Sequence, residues 1–156
     1  MADLKKVLKD EKIQNVRLSS PLCLAKTTPL REAIKVMRDD RKGYVIVVEG
    51  KRVIGIFTER DVLTKVVEQK VDLATPIEKL MTPDPKVLKR EDSVADAIRL
   101  MNQGGYRHIP IVDDQGEVQG IVRVRDIIKY LAEHFPYEVY NLPPDPRQII
   151  RAPEGA

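Results

Sequence analysis

Residues 55–61 read GIFTERD and residues 120–126 read GIVRVRD, so one glycine-to-aspartate segment occurs twice. Each copy follows a short apolar run typical of a strand and opens a run typical of a helix. Upstream of each copy lies an apolar stripe with the i, i+3, i+4, i+7 spacing of a buried helix face. Its members are Leu30, Ala33, Ile34 and Met37, and then Val94, Ala97, Ile98 and Met101.

The offsets of these features predict a tandem repeat. The stripes lie 64 residues apart (Leu30 to Val94) and the glycines 65 (Gly55 to Gly120), so one residue is inserted between them, near Asp113. A repeated unit of this length cannot bury enough surface alone. We therefore expect the two units to share a core.

The composition predicts a soluble protein. The chain has 156 residues, of which 42% are apolar and 33% charged. No apolar run approaches the ~20 residues that span a bilayer. The N-terminus lacks the apolar stretch of a secretory signal. We therefore expect a cytoplasmic location and no membrane partner.

Scarce residue types disfavour several functional classes. The single cysteine, Cys23, excludes an internal disulfide, and with only two histidines it disfavours a zinc site. The net charge is only +3, Trp is absent, and two Phe are available for stacking on bases. We expect no metal and no nucleic-acid partner.

The predicted order of elements is strand, helix, strand, strand, helix, twice. Thr28 is the expected N-cap of the first repeat's leading helix, with Pro29 at its first position, and Asp92 is the expected cap in the second repeat. The fold class is α/β (α+β), with two β-α-β-β-α repeats packed with pseudo-twofold symmetry. The predicted units are an N-terminal helix at 1–15, repeats at 16–70 and 71–135, and a proline-rich tail at 136–156.

The tail holds five of the chain's eleven prolines, which favours extended backbone. Disorder is the simplest interpretation. However, its first half carries apolar side chains that are costly to leave in water: Phe135, Tyr137, Val139, Tyr140 and Leu142. We expect that half to dock on the body or on a partner chain. Together with the helices that start near Leu30 and Val94, it predicts a homodimer.

These features in combination resemble tandem cystathionine β-synthase (CBS) domains, the nucleotide-sensing modules also found in the gamma subunit of AMP-activated protein kinase. The resemblance covers about residues 16–131. It rests on LMT at 80–82, YRHIPIVD at 106–113 and the glycine-to-aspartate segment at 55–61. It implies two repeats that pack through their strands into a disc with two clefts for adenosine-type ligands, and discs that commonly dimerise.

Thr58 and Asp61 have two interpretations. On spacing alone they are a helix N-cap and the acid at the third helical position, a frequent capping pair. A helix N-terminus also offers free N–H groups and a positive dipole end to phosphate. The CBS resemblance implies this second role, with Asp61 holding a ribose and Thr58 reaching a phosphate.

The first predicted cleft combines residues of both repeats. Arg107 and His108 are either a solvated strand end or two cations for phosphate. By resemblance, the strand around Ile109 bounds the adenine while the ribose-binding carboxylate comes from the other repeat. The predicted nucleotide-binding set is Thr58, Asp61, Lys86, Val87, Arg107, His108, Ile109 and Pro110.

The mirror cleft departs from this pattern. Its predicted members are Leu22, Tyr44, Val45, Ile46, Arg123 and Asp126. Arg123 stands where the first cleft has Thr58, and it either brings a cation to a phosphate or fills the cleft with its bulk. We therefore expect Asp61 to contribute more to binding than Asp126.

The function these features predict is a regulatory module that binds an adenine nucleotide (AMP, ADP or ATP) and acts through an effector protein. Two alternatives stay open. One is a structural interaction dimer with no ligand, and the other is a sensor of S-adenosylmethionine, which would have little use for Arg107 and Arg123. No recognisable nucleophile motif accompanies His108, so we expect no catalysis and no cofactor.

Overall fold

The structure, a computed structural model, describes residues 4–140. Its helices are α1 (Leu4–Asp10), α2 (Leu30–Asp39), α3 (Glu59–Asp61), α4 (Val94–Gly104), α5 (Val124–His134) and α6 (Pro136–Tyr140). Its strands are β1 (Cys23–Ala25), β2 (Tyr44–Glu49), β3 (Arg52–Thr58), β4 (Thr82–Pro83), β5 (His108–Val112) and β6 (Val118–Arg123). A π-helical segment, Val62–Val67, continues α3, and short 3-10 helices lie at Ile13–Asn15 and Ile77–Lys79. The predicted mixed α/β class is confirmed.

Two sheets carry the fold. One contains β1-β2-β3-β4 in that order, with β1 parallel to β2 and the other neighbours antiparallel. The other is the antiparallel pair β5-β6. In this second repeat a single parallel bridge from Leu88 to Ile111 takes the place that β1 has in the first. The two units therefore have matching topology.

The repeats exchange their leading segments. β4, which opens the second repeat, pairs with β3 of the first. Ser19, in the leading segment of the first repeat, pairs with Ile121 in β6 of the second, and Arg52 pairs with Glu117 near the hairpin tips. The repeats therefore contact each other through their strands, as the pseudo-twofold prediction requires.

This exchange explains the glycine that begins each copy of the repeated segment. A Cβ on Gly55 would collide with the side chain of Met81, and one on Gly120 would lie 3.0 Å from the Cβ of Leu18. Met81 and Leu18 belong to the two leading segments. Glycine is needed because these segments cross directly over the backbone.

Each repeat has its own core, and a third cluster joins them. The first core comprises Leu30, Ala33, Met37, Val45, Val47, Phe57, Val66 and Ile77. The second comprises Leu8, Ile13, Val16, Val94, Ala97, Ile109, Ile111, Val122, Ile127 and Tyr130. The joining cluster is Tyr44, Ile46, Val48 and Ile121. Burial of each large apolar side chain contributes about 1.5–3 kcal/mol before entropy is counted.

Two predicted helix caps are each one residue too early. Pro29, not Thr28, is the N-cap of α2, because its ψ of 147° keeps it extended ahead of the helix. Ser93, not Asp92, is the N-cap of α4, because its side chain and that of Asp96 form a reciprocal capping box.

The apolar faces of α2 and α4, on which the dimer prediction partly rests, pack within the chain. Leu30 and Val94 are both fully buried. Exposed apolar side chains lie instead on the helices that follow β3 and β6, where Leu63 is 66% and Ile128 61% exposed. Phe135 packs against the second core, whereas the predicted contact of Leu142 falls outside the described residues.

Within residues 4–140, no helix combines the length and the apolar content to cross a bilayer.

Candidate functional site

Two carboxylates occupy corresponding positions at the ends of the two hairpins. Asp61 is the third residue of α3, after β3, and Asp126 is the third residue of α5, after β6. Each side chain is 11% exposed. The free N–H groups and dipole of a helix N-terminus suit an anion, so both places favour a charged carboxylate or a bound phosphate.

Asp61 caps its own helix. Its Oδ2 accepts hydrogen bonds from the Thr58 N–H at 2.9 Å and the Thr58 hydroxyl at 3.1 Å. Its Oδ1 lies 3.1 Å from Nζ of Lys65, which also donates to the Leu80 carbonyl at 3.0 Å. The capping interpretation of Thr58 and Asp61 is confirmed. An ionised carboxylate has about four acceptor positions, so these three bonds leave one for a ligand.

Asp126 is held by Arg123 instead of a threonine. Its Oδ2 accepts from the Arg123 N–H at 2.9 Å and from Nε at 3.1 Å, while Oδ1 accepts from Nη2 at 3.0 Å. The Ser19 hydroxyl lies 3.3 Å from both oxygens. Burial alone raises the pKa of Asp126, but the hydrogen bonds and charge of Arg123, together with Ser19, outweigh burial and lower it. Asp126 is therefore anionic at neutral pH.

A cavity of about 670 Å³ opens beside Asp126. It lies between the leading segment of the first repeat and the exposed side of α5. Its cationic lining comprises Arg17, Arg123, Arg125 and Lys129, and its other polar lining comprises Asn15, Ser19, Ser20, Asp126, Tyr130, Glu133 and His134. The volume falls in the range of small-molecule sites. Of the predicted mirror-cleft residues, Arg123 and Asp126 line this cavity, whereas Leu22, Tyr44, Val45 and Ile46 do not.

Tyr44 and His108 meet where the two repeats join, with ring centroids 4.8 Å apart. Strand register places Tyr44 opposite Thr58 and His108 opposite Arg123. Burial raises the pKa of Tyr44. Burial lowers the pKa of His108, and the nearby charges of Arg123 and Arg107 lower it further. The two rings therefore form a largely uncharged bridge between the ends of β3 and β6.

The other predicted residues line the strands on either side of this bridge. Val45, Ile46, Ile109 and Pro110 are buried, whereas Lys86, Val87 and Arg107 are exposed. The Leu88 N–H donates to the Pro110 carbonyl at 3.1 Å, which sets the segment containing Lys86 and Val87 beside β5. The Ile46 N–H donates to the Leu22 carbonyl at 2.8 Å, which sets Leu22 beside β2.

Not every predicted grouping is joined by contacts. In the part of the chain that the structure describes, no hydrogen bond or ion pair links Asp61 to Arg107 or His108. The nearest charges that act on His108 are instead Arg123, Arg107 and Asp126. The imidazole of His108 is therefore electrostatically coupled to Asp126 rather than to Asp61.

Several cleft residues escaped the sequence analysis. Ser19 and Arg17 lie in the leading segment of the first repeat as Thr82 and Leu80 lie in that of the second, so the LMT motif at 80–82 had a counterpart that could have indicated them. Lys65 gave no signal beyond its i+4 spacing from Asp61, which is common on any helix surface.

Comparisons with known proteins show which family the chain resembles. The CBS domain family profile matches residues 13–68 and 77–133. An uncharacterized 17.7 kDa protein of Acidianus ambivalens is 32% identical over 123 residues, covering 78% of this chain and 74% of that protein. The chain spans 19% of the length of a CBS domain-containing protein of Arabidopsis thaliana that is 37% identical over 105 residues.

Solved structures share the fold. A CBS domain protein of Pyrobaculum aerophilum, complexed with AMP, is 26% identical, with a TM-score of 0.69 over 78% of this chain and 98% of that one. A CBS domain pair complexed with 5'-methylthioadenosine and S-adenosyl-L-methionine has a TM-score of 0.69 over 77% of this chain and 98% of that one, at 22% identity. The second likeness concerns the fold alone.

Proposed function

This chain belongs to the CBS domain family, and on that premise we propose that it is a regulatory module that binds an adenine nucleotide (AMP, ADP or ATP) and acts through an effector protein. The observation that carries the proposal is the cavity of about 670 Å³ beside Asp126, whose lining includes Arg17, Arg123, Arg125 and Lys129. The AMP complex of the Pyrobaculum aerophilum relative supports the same ligand class.

The cavity offers a partner for each part of a nucleotide. Asp126 accepts hydrogen bonds from ribose hydroxyls, since its carboxylate is ionised. Arg17 and Arg125 provide charge-assisted donors for phosphate, and neither has a carboxylate partner within residues 4–140. Leu18 and the ring of Tyr130, which also line the cavity, supply apolar surface for the adenine.

The Asp61 cleft is the second half of the proposal. There Thr58 and the α3 N-terminus face the phosphate, and Asp61 the ribose. Ile109, Pro110 and Val87 bound the base, while Lys86, Arg107 and His108 supply positive or donor groups at the rim. The matching capping geometry of Asp61 and Asp126 supports two sites of one kind.

The charge of the clefts favours phosphorylated ligands over S-adenosylmethionine. The sulfonium of that ligand is cationic, so it would be repelled by Arg17 and Arg125 at the Asp126 cavity; the other two cations, Arg123 and Lys129, are paired with Asp126 and Glu133. A nucleotide gains from the charges of Arg17 and Arg125. The number of phosphates it carries should therefore raise its affinity, in the order ATP, ADP, AMP, adenosine.

A calorimetric titration with these four ligands and S-adenosylmethionine tests the proposal. We expect saturable binding of the nucleotides and weaker binding of adenosine. S-adenosylmethionine binding more tightly than any nucleotide would replace the proposed ligand. No binding of any of the five would favour the ligand-free interaction dimer.

We also propose a homodimer, formed through the helices that follow β3 and β6. Leu63 and Ile128 are equivalent by the 65-residue offset, and both are more than half exposed. A twofold axis beside these residues would bury Leu63 and Ile128 of both protomers in one interface. Light scattering should report twice 17.8 kDa. The double variant Leu63→Glu and Ile128→Glu should report the monomer, and an unchanged mass would contradict this interface. The cytoplasmic location and the lack of catalysis stay predictions from sequence.

A further inference from the structure

We infer that Lys65 is a specificity-determining residue of the Asp61 cleft, whose ammonium occupies the carboxylate until a ligand that carries phosphate replaces it. The inference rests on the function proposed above and adds a residue that the repeated motif does not contain. Its basis is the pair of contacts that Lys65 Nζ makes, 3.1 Å from Asp61 Oδ1 and 3.0 Å from the Leu80 carbonyl oxygen.

The two carboxylates are paired with cations at different sequence positions: Asp61 with a residue that follows it, and Asp126 with a residue that precedes it. The position equivalent to Lys65 in the second repeat is Tyr130, four residues after Asp126, and its hydroxyl donates to Glu11 instead. Asp126 receives its cation from Arg123, three residues ahead. The ion pair of Lys65 with Asp61 is therefore a feature of one cleft and not a consequence of the repeat.

Lys65 joins two segments of the predicted nucleotide-binding set. Asp61 lies on α3, whereas Leu80 lies just ahead of β4, in the segment that leads to Lys86 and Val87. The ammonium of Lys65 bonds to both segments, so it lies between the carboxylate and the segment that the proposed function sets beside the base. The Lys65 side chain is 33% exposed, so it can swing out on its flexible stem without disturbing a core.

The backbone around Lys65 is also unusual. It lies in the π-helical segment Val62–Val67, which begins directly after Asp61, whereas α5 is α-helical throughout. The Glu68 N–H donates to the Leu63 carbonyl, five residues earlier, at 3.3 Å. Such segments frequently occur at functional sites. Here the segment sets the turn from which Lys65 contacts the carboxylate.

Displacement of Lys65 favours one class of ligand. Thr58 already fills Oδ2, so a ribose that donates two hydrogen bonds to Asp61 needs both acceptor positions of Oδ1, one of which the ammonium holds. With adenosine the freed ammonium loses its charged partner and gains none. With AMP it gains the phosphate, which is a charge-assisted contact. Lys65 therefore opposes adenosine binding and supports AMP binding.

Calorimetric titration of AMP and of adenosine into the full-length protein and its Lys65→Met variant tests this role. The ratio of the two affinities is the quantity measured. We expect AMP affinity to fall about tenfold, the loss of one charge-assisted contact. Adenosine affinity should stay the same or rise, since no ion pair has to be broken. A purely structural role would change both affinities in parallel.

Two further variants serve as controls. Arg99→Met removes the cation from Asp96, another capping carboxylate, which lies on α4, and should leave the ratio unchanged. Lys65→Arg keeps the charge and should keep AMP favoured, which tests the role even if Lys65→Met does not fold. Parallel changes for both ligands, or a loss of the AMP preference in Lys65→Arg, would overturn the inference alone. Failure of the unaltered protein to bind AMP would overturn the proposed function as well.

Discussion

The ring of Tyr44 lies 4.8 Å from that of His108, with the planes tilted by 36°, at the junction of the two repeats. The two residues are equivalent in the repeat, so the pseudo-twofold axis passes between their rings. Tyr44 is 1% exposed and covers the imidazole. Burial, with the nearby charges of Arg123 and Arg107, lowers the pKa of His108. The junction is therefore most stable with a neutral histidine.

This burial predicts a pH-dependent stability. The pKa of His108 is lower in the folded state than its ordinary value of 6.5, so below that pH the unfolded state binds more protons. The free energy of unfolding should stay level above pH 6.5 and fall as the pH decreases from there, by at most about 1.4 kcal/mol per unit. Urea unfolding between about pH 7.5 and 5.5 measures it.

His108→Gln should remove most of this pH dependence. His134→Gln is the matched control, because His134 is the chain's other histidine, and it should leave the dependence in place. If the two variants gave the same pH profile as the unaltered protein, the imidazole at the junction would not be the group that titrates.

The crossing of the leading segments predicts which glycine is less replaceable. At Gly55 an added Cβ would collide with Sδ of Met81 and lie 2.8 Å from its Cγ, with the Thr82 backbone carbonyl oxygen 3.1 Å away, whereas at Gly120 nothing is nearer than Leu18 at 3.0 Å. Gly55→Ala should therefore lower the free energy of unfolding by about 1–3 kcal/mol, and Gly120→Ala by less. Gln119→Ala, at an exposed neighbour on β6, should change it by under about 0.5 kcal/mol. The reverse order for the two glycines would contradict this packing.

The cavity beside Asp126 predicts a distinction between charged and neutral ligands. Arg17→Ala and Arg125→Ala should each weaken ATP binding about tenfold and adenosine binding far less, since only ATP offers an anion. Titrations at low and high salt should show that the effect shrinks as ionic strength rises. The control is Arg99→Ala, whose side chain pairs with Asp96 outside the cavity. Equal losses for ATP and adenosine would exclude a phosphate role for Arg17 and Arg125.

The repeat and the helices could be predicted because they depend on local periodicity. The stripes that begin at Leu30 and Val94 are the buried faces of α2 and α4. The exchange of leading segments could not be predicted. No local sequence pattern indicates whether β4 pairs with a strand of its own repeat or with β3. In the structure Met81 and Leu18 each lie over a glycine of the other repeat, which is a contact between residues distant in sequence.

The candidate site could be predicted only in part, because some of its contacts depend on residues that are distant in sequence or on the direction of a side chain. The capping pair of Thr58 and Asp61 follows from spacing, and the structure contains it. The direction of the Arg123 side chain does not follow from spacing. Its guanidinium turns back onto Asp126, which leaves room for the cavity. Lys65 was missed because its role depends on Leu80, which is distant in sequence.

The most direct test of the nucleotide-binding claim is a calorimetric titration of AMP into the unaltered protein, Asp61→Asn, Asp126→Asn and Asp96→Asn. Asp96 has the same capping geometry on α4, so its variant reports the loss of a cap alone. We predict that Asp61→Asn and Asp126→Asn each remove one binding site or weaken it at least about tenfold, through lost hydrogen bonds to ribose. Asp96→Asn should bind AMP as the unaltered protein does. Unchanged affinity and stoichiometry in both Asp61→Asn and Asp126→Asn would contradict the account and leave these carboxylates as helix caps only.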